Sequence, residues 1–470
     1  MFTISPASAA SLQGSFRDVV YGGDSYDYPW AMEPLPDGGF IIVATTQSFS
    51  QPHLQRYDGS LWLARVTTDG RIALSLLYTP PKPAIYYDST LLPDESIVVV
   101  GSTGDYRNAV IARISGDGTP IFYEYLDPGV PVYSIGLADV EYYDGRIVAA
   151  GFFYDLSVYK SMQWIVVLDP NGTVLSSVGI DLGAPYYYPI TFSLDIMDGL
   201  AVIAGYGYTN PGFAVAYNLS SGAIEYAYSV GDSSGDRYFD VKLSGDRLLL
   251  VGVTDDLGGE DASVVSLWEN GTLDWGLVIG SDGTDRLFGL YLDGQYVYVS
   301  GWSQPQVDTY MNDTLIAKIR LTSGTVEWYR IIGSVNDDWA YRIHVDGEGY
   351  VYSIGGYGSS SAKDDVIILR LDRDGRIPGC RLVRNETLSI TPYTPPITPI
   401  TPAANPYTTT ATPLSIPYTN ITGNTYRLCQ GPVGGASITS GGQPPASIYI
   451  LIGGILLAIV IFKNTHRNNN

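Results

Sequence analysis

Three histidines, His53, His344 and His466, are the only imidazoles in 470 residues. They fall in a loop of the first repeat, an inner strand of the last repeat and the C-terminal tail, too far apart to share a metal ion. The chain holds no nucleophile elbow, no phosphate-binding loop, no Asp-box and no Asp-x-Asp-x-Asp-Gly calcium loop, and Asp372-Arg373-Asp374-Gly375 reads as a hairpin turn. What does recur is a carboxylate. Gly22 with Asp27, Gly231 with Asp236, Gly280 with Asp285 and Gly333 with Asp338 share a spacing of five, which puts an acid at the turn between successive repeats. The remaining turns are aromatic: Tyr86-Tyr87, Tyr133 and Tyr186-Tyr187-Tyr188. Around one channel mouth, acids on one side and tyrosines on the other could hold a bound cation such as calcium, or a sugar. The plainer expectation is that each Asp caps its own turn and each Tyr packs between repeats. The candidate binding residues are therefore Asp27, Asp236, Asp285, Asp338, Tyr87, Tyr133 and Tyr187; no catalytic residue, metal ligand or cofactor is assigned.

Composition restricts what can position these groups. The chain has 53 Gly, 29 Pro and 38 Tyr, with short Val/Ile/Leu/Tyr runs between Gly/Asp/Asn/Ser clusters and no long 3.6-residue period, which is an all-β pattern. The formal charge of -22, with no Lys/Arg cluster, would repel a phosphate backbone, so nucleic acid is excluded as a partner.

The strands come in repeats. Residues 285–333 contain four alternating apolar runs separated by an Asp-Gly turn, a polar loop and a Ser-Gly turn, one four-stranded meander. A glycine closes the second strand at Gly101, Gly151, Gly205, Gly252, Gly301 and Gly355, with Ala44 in the first copy; the gaps are 57, 50, 54, 47, 49 and 54 residues. Seven units of this size cannot each bury both faces alone, and a closed ring leaves no unit exposed. The seventh supplies only three strands, whereas residues 16–22 read as an isolated fourth. The expected fold is a seven-bladed β-propeller of four-stranded antiparallel blades, closed by the N-terminal strand, with residues 16–21 pairing to 366–371.

The pattern of GG or GS followed five residues later by Asp, then VYVxG and DxLIxKI, resembles the SBBP repeat of bacterial and archaeal surface and secreted proteins. The resemblance is clear in about three of the seven units, blurred between Leu74 and Gly231, and implies a seven-bladed propeller and little about activity.

The ends suggest a cell-surface setting. Residues 448–462 form an uncharged apolar run that reaches about 22 Å as a helix, short of a hydrocarbon layer of about 30 Å unless its flanks contribute. Read as a single-pass helix over 447–463, it leaves a basic cytoplasmic tail, 464–470, and the propeller outside at the cell membrane; a processed sorting tail and a core helix are the alternatives. Residues 1–15 read as a leader remnant or flexible N-terminus. Between propeller (16–380) and helix, residues 381–446 are Thr/Pro-rich and read as a stiff stalk or a loop, plausible for O-glycosylation. Cys380 and Cys429 bracket that span, and a disulfide between them would fold it back near the propeller. Sequons at Asn171, Asn218, Asn270, Asn312, Asn385 and Asn420 are glycosylation candidates.

The function these features suggest is a membrane-anchored interaction, adhesion or cell-envelope module whose partners are glycans or other envelope proteins. The alternatives are a propeller enzyme and a purely structural surface glycoprotein. For the enzyme, residues 321–328 resemble a quinoprotein repeat without its Trp in every blade, and paired carboxylates could act on glycosides.

Overall fold

The computed structural model describes residues 18–429 apart from 50–57, 184–185, 187, 208–209, 233–234, 256–258, 305–310, 359–363 and 385. Seven antiparallel sheets follow one another along the chain, and each inner strand packs on the next, the last returning to the first. In the sixth blade the strands are Asp285–Asp293, Tyr296–Ser303, Asp313–Arg320 and Val326–Ile332. The first hairpin turns at Gly294, whose φ of 56° suits a residue without Cβ. Second strands such as Phe40–Thr46 and Ile97–Thr103 are buried along their whole length because a neighbouring blade covers each face, which is why they read as unbroken apolar runs.

Ring closure falls where the repeat count places it. Asp18–Gly22 is the fourth strand of the seventh blade, with Asp18, Val19, Val20 and Tyr21 opposite Leu369, Ile368, Ile367 and Val366. Residues 16 and 17 lie outside the described residues.

Two expectations are corrected. The blades have five strands, not four, and the Thr/Pro-rich span is neither stalk nor free loop as far as residue 429. After the seventh blade's third strand the chain crosses to the outer edge of blade six and then runs backwards round the propeller, adding one short strand to every blade. Val383–Arg384, Ser389–Pro392, Ile397–Pro399, Ala403–Pro406, Thr410–Pro413, Tyr418–Asn420 and Asn424–Tyr426 lie on blades six, five, four, three, two, one and seven in turn. Each pairs antiparallel with the blade's fourth strand. Cys429 then bonds Cys380, a separation of 49 residues.

The belt has a seven-residue period. Tyr393, Ile400, Tyr407, Leu414 and Ile421 each donate their backbone N–H to a fourth-strand carbonyl, of Gly276, Ala227, Ser177, Tyr123 and Ser75, at 2.8–3.1 Å. These side chains, and Leu428 after them, enter six different inter-blade cores. Seven extended residues span at most roughly 23 Å, and the belt advances by one blade for each such step. Pro392, Pro399, Pro406 and Pro413 precede four of these anchors. Alternation turns their missing N–H outward, so proline blunts the new edge without costing a ladder bond. The proline density that suggested a stiff spacer is the chemistry of an edge strand.

The expected leader (1–15), membrane helix (447–463) and tail (464–470) lie outside the described residues. Among the described residues no helix is long and apolar enough to cross a membrane.

Candidate functional site

The central channel is built by one device repeated seven times. Each inner strand carries a β-bulge, and the extra residue is Trp30, Tyr87, Ala138, Phe192, Phe239, Phe288 or Tyr341. The bulge accounts for the repeated glycine. A Cβ on Gly101, Gly205, Gly252, Gly301 or Gly355 would come within 1.7–1.9 Å of an inner-strand carbonyl oxygen, so in these blades the displaced strand lies too close for a side chain, whereas blade one carries its bulge opposite Ala44.

Six of the seven bulged residues are aromatic, and they touch in sequence round the axis. Ring centroids lie 5.6 Å apart for Tyr87 and Trp30, 4.9 Å for Trp30 and Tyr341, 5.5 Å for Tyr341 and Phe288, 4.9 Å for Phe288 and Phe239, and 5.3 Å for Phe239 and Phe192. Only Ala138 interrupts this collar. Such edge and tilted contacts are favourable beyond the area they bury.

Below the collar lies a charged layer. Asp88 accepts from Val140 N (3.3 Å) and Arg342 (3.0 Å), Asp139 from Leu194 N (2.7 Å), and Asp240 from Leu290 N (2.7 Å) and Ser193 Oγ (2.8 Å). Each carboxylate thus takes a backbone N–H of the next inner strand, two residues past that strand's bulge, and staples neighbouring blades. Further down, Lys242 Nζ donates to Asp195 (3.0 Å) and Glu141 (3.4 Å), and Ser89 Oγ to Glu33 (2.9 Å). Lys242 and Glu141 keep 27% and 32% side-chain exposure to the lumen. Protein nonetheless surrounds them, and this desolvation pushes Glu33 and Glu141 up to about 7. Burial alone would lower the Lys242 ammonium, but Asp195, Glu141 and Asp240 lift it above its usual value.

Above the collar, at the mouth where inner strands begin, Arg237 and Arg286 clamp the carboxylate of Glu260 from two blades, with Arg286 Nε at 2.8 Å. The two arginines hold Glu260 below its ordinary value against the opposing effect of burial. Their guanidiniums lie over Tyr206 (5.7 Å) and Trp302 (5.3 Å). Across the mouth Tyr154 stacks on Tyr188 (5.1 Å) and meets Tyr133 edge-on (6.3 Å), with Arg107 over Tyr133 (5.4 Å).

The residues singled out from sequence divide accordingly. Asp27, Asp236, Asp285 and Asp338 are 0–3% exposed and sit between blades rather than on the channel. Each accepts a backbone N–H from its own turn, of Gly23, Asp232, Ser281 and Ser334 at 2.6–2.9 Å, so the capping role describes their geometry. Tyr87 lies in the collar rather than at the mouth, because the bulge carries it inward. Tyr133 is at the mouth, and Tyr187 lies outside the described residues. The charge at the mouth is the Arg237–Glu260–Arg286 clamp, which sequence reasoning missed; the strand position two before each bulge, shared by Arg237, Arg286 and Trp339, was the available signal. His344 lies on the channel strand of blade seven, edge-on to Tyr291 (4.8 Å), its imidazole pushed down by burial. Among the described residues no group of three or more His, Cys, Asp or Glu could hold a metal ion. Of the sequons, Asn171, Asn270 and Asn420 are exposed, Asn218 and Asn312 half-buried, and Asn385 lies outside the described residues.

The molecule is a seven-bladed β-propeller girdled by its own C-terminal segment. No family model matches the chain and no curated protein does, so the SBBP resemblance rests on the quoted residues alone. Solved structures similar to it include Drosophila Plexin A in complex with Semaphorin 1b (9% identity over 76% of this chain and 88% of that one, TM-score 0.44). Others are Drosophila Semaphorin 1b (9%, 76% and 88%, 0.42) and the Comamonas testosteroni quinohemoprotein alcohol dehydrogenase (11%, 77% and 77%, 0.38). The fold stands on the strand pairing described above.

Proposed function

We propose that this chain is a surface-anchored interaction module that takes a glycan at the upper mouth of its channel, within a cell envelope. The observation that carries the reading is the mouth itself: tyrosine platforms on one side and an aromatic-backed Arg–Glu–Arg clamp on the other, suited to stacking on sugar faces and bonding their hydroxyls. The SBBP-type repeat and the apolar run at 447–463 support an exported, single-pass setting, with the exposed belt threonines and Asn171, Asn270 and Asn420 as glycan acceptors. The full chain in detergent, applied to a glycan array, is expected to retain a subset of sugars and to lose them on Trp302→Ala or Tyr133→Ala. No retention by the wild type overturns the reading. Deleting 447–470 is expected to release the protein from the membrane fraction.

A further inference from the structure

The belt visits all seven blades once and its two ends meet at the junction of blades six and seven, where Cys380 and Cys429 are joined. The covalent loop so formed runs round the outside of the propeller. It also covers the ring's own seam. The N-terminal strand Asp18–Gly22 lies between Asp364–Leu371 and the last belt strand, Asn424–Tyr426, so the strand that closes the ring cannot leave sideways while the belt is shut. We propose that the Cys380–Cys429 bond is a redox-operated lock on the propeller: oxidised, it makes the belt a hoop that holds the blades and the closing strand together; reduced, it lets the belt peel from its C-terminal end.

Peeling starts at that end because the other continues covalently into the third strand of blade seven. Each belt strand pairs through only two to four residues, so no single blade holds it strongly. Beyond the disulfide, the final turn depends on Asp18. Its carboxylate accepts from Cys429 N (3.0 Å) and from Leu428 N, and Arg427 donates to the Asp18 carbonyl (3.1 Å) and the Asp69 carbonyl (3.2 Å). Cys429 is 2% exposed and Cys380 half-buried, which directs attack to Cys380. A dithiol reductant supplies the chemistry. Its thiolate bonds the Cys380 sulfur and expels the Cys429 thiolate; its second thiol, as thiolate, then closes on the first, releasing Cys380. The reductant leaves as a disulfide, and two electrons and two protons end on the two cysteines.

Hydrogen exchange on the full chain, with and without a dithiol, tests this. Reduction is expected to speed exchange about tenfold or more at residues 418–426 and the closing strand before it reaches 389–399, with the inner strands unchanged. Cys380→Ser without reductant is expected to match the reduced protein. Unchanged belt exchange after confirmed reduction, or equal acceleration in inner and belt strands, overturns the lock. If Cys380→Ser fails to fold, the reduced wild type alone decides between these outcomes.

Discussion

A single missing methyl group recurs through this fold with a definite physical cause. Gly252 stands opposite a bulged inner strand whose Arg237 carbonyl would lie 1.8 Å from any Cβ. Because that obstacle is backbone, Gly252→Ala must shift the inner strand from where it packs, and we expect a loss of about 2–3 kcal/mol in urea unfolding. The buried carboxyls set the pH response. Glu33, Glu141 and Asp338 are pushed up to about 7 and Asp285 to about 6, chiefly by desolvation, from ordinary values of 4.5 for Glu and 3.8 for Asp. Between those limits the folded chain binds more protons than the unfolded one, so stability falls as pH rises from about 4 to 7. Surface acids held low by hydrogen bonds, Asp94 chiefly by those from Ser96 and, against the effect of burial, Asp37 by that from Arg65, act in the opposite sense but are exposed and weak. The melting temperature is therefore expected to be highest near pH 4 to 5 and to decline towards 8, and Glu33→Gln should flatten the decline.

Among the elements, the belt strands are too short to hold by pairing alone, and their anchors do more than fill space. Tyr393, 6% exposed, donates its hydroxyl to Asp236 at 2.7 Å, and Tyr407 donates to Asp155 at 3.2 Å. Arg384 pairs with Asp313 at 3.1 Å. The belt thus serves carboxylates that the blades bury. Tyr393→Phe keeps the packing but removes a donor from Asp236, and a cost of about 1–2 kcal/mol is expected. Tyr393→Ala should cost more, about 3–5 kcal/mol, since it also empties part of the core between blades four and five. Denaturant melts of both variants separate the two contributions.

For the whole molecule, a propeller usually resists opening through one shared blade; here the shared blade is itself overlaid by the last belt strand and sealed by a disulfide. A loop of about fifty residues closed in this way restricts the unfolded chain by roughly 4 kcal/mol in the entropy picture. The glycan array and the redox exchange experiment test the two ends of this architecture independently, one at the mouth and one at the rim.

The blade number, the strand that closes the ring and the cysteine pair were legible in the chain because each depends on local period or on simple counting. Alternating apolar runs, hairpin turns and a recurring glycine every fifty or so residues leave few ways to bury so many sheets. The belt was written there too, as a seven-residue recurrence of Tyr393, Ile400, Tyr407, Leu414, Ile421 and Leu428, but a lone edge strand has no local signature that separates it from an extended linker. Its meaning depends on the distance between blade edges, which exists only once the ring has formed. The same holds for the channel. Whether an inner-strand acid faces the lumen, a neighbouring blade or its own turn is decided by a one-residue bulge, and the register that bulge creates is a property of the assembled sheets.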